Sequence, residues 1–356
     1  MDDWAPPALA YPWDRIGLQT GSPTAKVEKA LVCLTVTQDA VRAAKKMNIN
    51  MIIAHHPLIW DPLKALREDE PAARLCLEVA RANMACFTAH TNLDIASGGV
   101  NDALADALGM AETQPLFPAE HLRQIKIVTF VPESHRALVR DALAAAGAGV
   151  IGDYTHCAFN APGVGNFLPG ATANPYLGEK GSVNEEPEWR IEMAADKARL
   201  TPIIKALYQA HPYEEPAFDV VPLENQVAHQ GLGVVGLLEH KTTWTDFVAR
   251  VANTLGPAQV YGERRKAVRR VALLGGSGGA YVERLPGNVD VYVTGDISYH
   301  EAQSALLRGI PCIDAGHAGT EMPVLEVIAR RLKQTFPRLG LRIYKEPPLG
   351  RMVSRK

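Results

Sequence analysis

Four short apolar segments, each closing on a polar cluster that contains histidine, constrain this 356-residue chain more than any other feature. Residues 50–53 lead into Ala54-His55-His56-Pro57, and residues 84–88 into His90-Thr91-Asn92-Leu93-Asp94. Residues 290–294 lead into Gly295-Asp296-Ile297-Ser298-Tyr299-His300, and residues 311–314 into Gly316-His317-Ala318-Gly319-Thr320-Glu321. Runs this short and this sharply bounded read as buried strands rather than helices. In open α/β sheets, ligands bind beyond the carboxyl ends of such strands. Neighbouring side chains on a strand point to opposite faces. His55 and His56 can therefore share a site only if the strand ends and the backbone turns there. Pro57 favours that turn by fixing its own φ and restricting His56. Taken alone, the pair fits equally one core histidine beside an exposed one.

The intervening segments predict helices over 38–47, 69–83, 101–108, 243–254, 300–307 and 324–332, with further strands over 27–37, 231–238, 268–274 and 341–344. The early β-α-β order implies parallel strands with a right-handed crossover. Tyr11 to Gly21 is rich in Pro and Gly and is expected to be an irregular, partly packed loop. The pattern changes near residue 122. Strands over 124–131, 188–194 and 216–222, helices over 133–146 and 199–210, and extended-looking pieces within 154–167 give a β-α-β-β-α-β order, the ferredoxin-like signature. Residues 161–188 are expected to form a long loop. The fold class expected is α/β: two related α/β lobes forming one discontinuous domain, residues 1–121 and 227–356. An α+β ferredoxin-like domain, residues 122–226, is inserted into it.

Composition removes several classes of function. The chain is 47% hydrophobic and 21% charged, with a net charge of -2, so no global basic field draws it to nucleic acid or anionic membrane. No apolar run approaches the roughly 18 residues that span a bilayer, and the acidic N-terminus lacks a signal pattern. Cys33, Cys76, Cys86, Cys157 and Cys312 are odd in number and form no CxxC pair. They fit a reducing, cytoplasmic setting better than a disulfide framework or cysteine-ligated zinc.

His317 and Glu321 stand four apart at the start of a predicted helix, so they share a face and can chelate one cation. His90 and Asp94 have the same spacing. Either pair alone fits a capping or surface pair, but with His55-His56 they make three clusters at strand ends, which together point to a metal site. His90 and His300 are candidate acid/base residues, and Asp296 and His300 are assigned to a substrate pocket. The run Gly275-Gly276-Ser277-Gly278-Gly279 fits neither the P-loop nor the dinucleotide fingerprint. It is read as a tight turn, with a phosphate cradle as the alternative.

These residues resemble the Nif-three-like dinuclear metal-centre family, widely labelled GTP cyclohydrolase 1 type 2 homologues. The matching stretches are Trp13-Asp14 with Gly17-Leu18, Ala54-His55-His56-Pro57-Leu58, His90-Thr91-Asn92-Leu93-Asp94, Gly98-Gly99-Val100-Asn101, Thr294-Gly295-Asp296-Ile297, and Gly316-His317 with Thr320-Glu321. The segment His211-Pro212-Tyr213-Glu214-Glu215-Pro216 resembles the middle domain of the longer members, which is similar to the PII and CutA fold. The resemblance implies two divalent ions, one held by His56, Asp94 and Glu321 and the other by His55, His317 and Glu321, with Glu321 bridging. Imidazole and carboxylate ligands suit zinc, iron, manganese or cobalt. Three protein ligands per ion leave positions open, as in catalytic sites. Arg15 and Thr35 depart from the family pattern, where Asn and Asp are common, and neither is an implied ligand.

The expected function is a metal-dependent hydrolase acting on a small nucleotide-like or phosphate-bearing molecule, which the family label narrows to a GTP cyclohydrolase. The rival is a non-catalytic metal-binding or regulatory protein whose insert senses a ligand or drives assembly. The resemblance also implies a homohexamer.

Overall fold

The computed structural model describes residues 1–119, 122, 124–224, 230–263 and 265–347. The chain forms two compact units, Met1–Pro118 with His229–Lys356, and Ala119–Ala228. The junctions expected from sequence fall on residues 121, 226 and 227, which lie outside those described.

The first unit begins with β1 (Gly17–Thr20), β2 (Lys29–Cys33), α1 (Gln38–Lys46), β3 (Met51–Ala54), α2 (Pro71–Arg81), β4 (Ala85–Thr88), the one-turn helix α3 (Thr91–Ile95), α4 (Val100–Leu108) and β5 (Met110–Pro118). The second unit holds β6 (Gln124–Val131), α5 (Arg136–Ala145), β7 (Phe159–Phe167), β8 (Asn184–Asp196), α6 (Leu200–Ala210) and β9 (Phe218–Pro222). The first unit resumes with β10 (Gly231–Thr242), α7 (Trp244–Leu255), β11 (Gln259–Tyr261), β12 (Val268–Ser277), β13 (Val291–Gly295) and α8 (Tyr299–Leu307). It continues through β14 (Cys312–Asp314), the second one-turn helix α9 (His317–Glu321), α10 (Pro323–Thr335) and β15 (Gly340–Ile343).

Two sheets make up the first unit. One has the order β1-β4-β3-β2-β15, the other β11-β14-β13-β12-β10-β5. In each, three successive strands run parallel: β2, β3 and β4, then β12, β13 and β14. In each, an antiparallel strand flanks the third, β1 on β4 and β11 on β14. Parallel strands covered on both faces read as continuous apolar runs. Ala30 to Cys33 of β2 and the whole of β13 are buried accordingly. Side-chain caps set the starts of several helices. Thr37 accepts from the Ala40 amide, Thr243 from the Asp246 amide, and Ser298 forms a capping box with Glu301. Helix α4 stops at Gly109, whose φ of +73° lies in the left-handed region that glycine adopts freely. Leu104 and Leu108 of α4 pack with Phe247 and Val251 of α7 and with Val271, Leu273, Val291 and Val293 of the second sheet. An element encoded before the insert is thereby built into the core encoded after it.

In the second unit, the antiparallel sheet β7-β8-β6-β9 shares a core with α5 and α6. Ile125, Ile127, Ile191 and Met193 of the sheet meet Val139, Leu143, Ile203 and Leu207 of the helices there. Residues 161–188 are not one long loop. β7 pairs with β8 from Phe159 opposite Glu192 to Phe167 opposite Asn184. The first segment is not wholly irregular either, since Gly17–Thr20 pairs with β4. The strand expected over 27–37 stops at Cys33, and the chain turns before α1. Among the described residues, no helix is long and apolar enough to cross a membrane.

The segment before β1 is fastened by Asp14, whose side chain is fully buried. Its carboxylate accepts from the Thr91 amide at 2.9 Å, from the Thr91 hydroxyl, and from His90 Nδ1 at 2.8 Å. Burial pushes the Asp14 pKa up, but the hydrogen bonds from His90 and Thr91, with the charge of His90, outweigh it and hold the group at about 2. Hydrogen bonds to a charged acceptor are the strong ones. Asp14→Asn is expected to lower the unfolding free energy by about 2 kcal/mol, read as a lower urea midpoint at constant m value. Because the folded pKa is depressed, the wild-type advantage is present above 3.8 and lost as pH falls toward 2. Equal midpoints at neutral pH would show that this carboxylate does not hold the segment.

Candidate metal centre

The two mixed sheets of the first unit bring the carboxyl ends of their parallel strands to one cluster. His55 and His56 follow β3, Asp94 lies in α3 after β4, and His317 and Glu321 open and close α9 after β14. One atom each of His55, His56 and Glu321 lies within 4.8 Å of the others. Glu321 is the hub. Its Oε2 is 2.9 Å from His56 Nε2, and its Oε1 is 3.5 Å from His55 Nε2 and 3.2 Å from His317 Nε2. Asp94 Oδ1 lies 3.6 Å from the same His55 nitrogen. His55 is fully buried and Glu321 almost so.

Each histidine is oriented through its other nitrogen. His55 Nδ1 bonds the Ala89 carbonyl at 2.8 Å. His56 Nδ1 bonds the Thr35 hydroxyl at 2.8 Å. His317 Nδ1 bonds Asp296 Oδ2 at 2.6 Å and approaches the Ser277 hydroxyl at 3.3 Å. An oxygen partner that fixes Nδ1 and leaves Nε2 facing the centre is the usual support of a metal-ligating imidazole. Asp296 has a φ of +55°, a left-handed conformation that Asp tolerates better than most side chains, and it also receives the Ser277 hydroxyl. Asn101 ties the halves together behind the site. Its amide donates to the Asp94 carbonyl and its side-chain oxygen accepts from the Gly275 amide.

The electrostatics follow from confinement. Burial depresses the His55 pKa, but the nearby charges of Glu321 and Asp94 overcome it and push it up to about 9. For His317 the Glu321 hydrogen bond leads, burial opposes it, and the value again rises to about 9. Burial lifts Asp94 to about 6 against the pull of His55 and His90. Burial would also lift Glu321, yet the three histidines hold it well below the ordinary carboxylate range. His56 is lowered, chiefly by burial, against the pull of Glu321.

Two observations fit this donor set to a cation. The Nε2 of His55 is buried and makes no hydrogen bond, because its carboxylate neighbours stand too far off. Orphaned buried nitrogens of this kind are rare in folded chains. The second is Gly276, with a φ of +70°, where an added Cβ would lie 2.5 Å from Glu321 Oε1. The glycine run read from sequence as a tight turn starts as the end of β12, which continues to Ser277, and turns there, the Gly278 amide donating to the Gly276 carbonyl at 3.0 Å. Its glycines leave room for side chains. Gly276 clears Glu321, and a Cβ at Gly278 would collide with the Thr294 hydroxyl.

The remaining candidates separate. His90 stands at the cluster, its ring 5.2 Å from that of His55 and 6.0 Å from that of His56. It bonds Asp14 rather than Asp94. His300 is exposed on α8, with its ring against Tyr299. Asp296, assigned from sequence to a substrate pocket, supports His317. Thr35, Ser277 and Asp14 were not singled out as supports. Asp14 lay within the Trp-Asp pair, and Thr35 at a place where the resembled family commonly has Asp; Ser277, inside the glycine run, carried no signal of its own. Apart from this centre, a cavity of about 540 Å³ lies within the second unit, lined by residues that include Phe130, Glu188, Arg190 and Tyr213.

Residues 1–347 match the family described as Duf34/NIF3 (NGG1p interacting factor 3). Relatives named "GTP cyclohydrolase 1 type 2 homolog" include one from Halalkalibacterium halodurans, 38% identical over 320 residues, covering 89% of this chain and 86% of the relative. One from Bacillus subtilis is 38% identical over 335 residues, covering 93% and 90%. Among solved structures, the Bacillus cereus protein related to NIF3 superposes with a TM-score of 0.74 at 38% identity, over 99% of this chain and 96% of that one. A mixed α/β fold on two parallel-centred sheets, a His/carboxylate cluster where those sheets end, and a match along nearly all of its length lead to one conclusion: this chain belongs to the Duf34/NIF3 family.

Proposed function

We propose that the centre binds two divalent cations and that the protein is a metal-dependent hydrolase of a small nucleotide-like or phosphate-bearing molecule. His56, Asp94 and Glu321 would hold one ion, and His55, His317 and Glu321 the other, with zinc, iron, manganese and cobalt all compatible with the donors. The observation that carries this reading is the convergence of three imidazole Nε2 atoms, each steered through Nδ1, on one buried carboxylate. Bound cations there supply Lewis acidity toward a carbonyl or phosphoryl oxygen and make water acidic enough to react near neutral pH.

The chain's own residues supply the rest. Glu321 and Asp94 balance charge. Asp296 and the Ala89 carbonyl, which only accept, fix the ring tautomers of His317 and His55, Thr35 orients the ring of His56, and Gly276 keeps the carboxylate's space open. His90, anchored at Nδ1 by Asp14, would hold or pass a proton at Nε2 beside the centre. His300 remains a candidate only for a contact farther from the centre. The name borne by the relatives, "GTP cyclohydrolase 1 type 2 homolog", favours a nucleotide substrate. The five free cysteines fit a cytoplasmic setting, and a homohexamer is the assembly we expect.

A second reading is favoured by the cavity in the Ala119–Ala228 unit, whose size suits a small ligand. In that reading the unit, which we take as a PII/CutA-like sensor, binds a ligand and the metals serve regulation rather than turnover.

Elemental analysis after dialysis against manganese or zinc is expected to give two ions per chain. Glu321→Ala and Gly276→Ala should each fall to one or none while the fold is retained, and wild type holding at most one ion would end the dinuclear reading. Cation binding must also displace protons from His55 and His317, whose values are raised to about 9. Affinity should therefore rise with pH up to about 9. Near pH 7, titrations in buffers of different ionisation enthalpy should register release of at least one proton per chain; none would contradict this protonation scheme. Hydrolysis of nucleotides or phosphoesters by metal-loaded protein should disappear in His55→Ala and Glu321→Ala. Absence of turnover with all four metals, together with ligand binding that needs no metal, would favour the regulatory reading.

A further inference from the structure

Two tryptophans beside the centre are far more exposed than packing would leave them. Trp13 is 53% exposed and Trp60 is 49% exposed, whereas Trp244 in the core is 6% exposed. An indole carries a large apolar surface whose burial is strongly favourable, so two half-bare indoles in contact forgo stabilisation at that spot. Their rings meet edge to face, with centroids 5.8 Å apart and planes at 60°.

Both are held firmly. Tyr11 lies parallel to Trp13 at 5.5 Å, with 6° between the planes, and its amide donates to the Thr91 hydroxyl at 3.1 Å. On the other side of Trp13 in sequence, Asp14 is buried in its bonds to His90 and Thr91. Beside Trp60, the Gln19 side chain grips both backbone groups of Ile59, donating to its carbonyl at 3.3 Å and accepting from its amide at 2.9 Å. The exposed rings therefore stand on fixed backbone, which reduces the entropic cost of stacking a ligand on them.

The rings also lead inward. Trp60 contacts His90 edge to face at 5.8 Å, and His90 contacts His55 at 5.2 Å. One histidine thus stands between the tryptophan pair and the candidate ligands. We propose that Trp13 and Trp60 form the seat for a flat heteroaromatic ring, so that the substrate carries a nucleobase-like group whose remainder reaches the His55–His56–Glu321 cluster. This rests on the reading of that cluster as the reacting centre. Aromatic faces take any base by stacking, with little dependence on its hydrogen-bonding edge. The centre itself takes oxygen or ring-nitrogen donors, and nucleobases and their phosphates carry both. A sugar phosphate without a base would engage the centre and leave the indoles bare.

The test compares ribose 5-phosphate with four nucleoside monophosphates by calorimetry on the manganese-loaded full chain, alongside Trp13→Leu and Trp60→Leu. Wild type should bind at least one nucleotide about fivefold or more tighter than ribose 5-phosphate, the range expected for stacking one base. Each variant should lose that preference while metal content, thermal unfolding and ribose 5-phosphate affinity stay at wild-type values. No nucleotide binding, no preference in wild type, or a preference that survives both substitutions overturns the proposal. Glu321→Ala separates the two readings. If it retains ribose 5-phosphate binding, the reading of the centre fails, while the base-dependent preference is judged on the tryptophan variants alone.

Discussion

A carboxylate almost without solvent, Glu321, faces the Nε2 atoms of three histidines, and the first unit is built around that arrangement. An ionised carboxyl removed from water costs several kcal/mol unless cationic or hydrogen-bonding partners offset it. Here the partners come from both sheets, so neither sheet alone can stabilise the group. The surrounding residues serve the same end. Gly276 has no side chain where one would strike the carboxylate, and Thr35, Ala89 and Asp296 hold the imidazoles with one nitrogen turned toward it. A chain that places three imidazoles around one buried anion, and leaves one buried ring nitrogen without a hydrogen bond, is suited to a cation.

The two halves of the first unit share an outline but not a role. Each has three parallel strands, and each third strand leads to a five-residue helix with a histidine and a carboxylate four apart: His90 with Asp94 around α3, His317 with Glu321 in α9. The second strands differ. β3 delivers His55 and His56 into the cluster, while β13 delivers Asp296, which supports His317 from behind. The first half therefore supplies two nitrogen donors where the second supplies a positioning carboxylate. His90 differs from His317 in the same way: its Nδ1 is committed to Asp14, in a segment outside the repeated outline.

How much of this was legible in the sequence depended on what fixes each element. The parallel strands were readable because burial on both faces demands an unbroken apolar run, as in β2, β3 and β13. The strands missed or only half seen, β1, β5, β7 and β11, all lie at sheet edges. An edge strand needs one ladder of partners, tolerates proline, and can stay half exposed. In β7, Pro162 and two glycines hide a nine-residue strand that β8 defines by pairing. β5 is buried only toward its ends. The residues that converge on Glu321 stood out as clusters at strand ends and through the family resemblance. Of their supports, Asp296 stood out within a strand-end cluster, but Thr35 and Ser277 reveal no ring to support until the fold sets each against a nitrogen. The glycines after residue 274 were half legible for a related reason: glycine marks a tight turn and a crowded strand alike, and this run is both.

The hydrogen bond between His56 and Glu321 joins residues 265 positions apart. At the usual pace of translation, about 5–20 residues per second, the carboxylate leaves the ribosome roughly 13–53 s after the histidines. The first sheet waits longer still, because β15 completes its edge by pairing with β2 from Gly340 opposite Lys29 to Ile343 opposite Val32. Through that interval the nascent chain carries an uncovered strand edge beside a partial set of nitrogen donors. The span during which this protein is open to aberrant pairing is thus set by the length of chain between β2 and β15, and the intervening Ala119–Ala228 unit lengthens it.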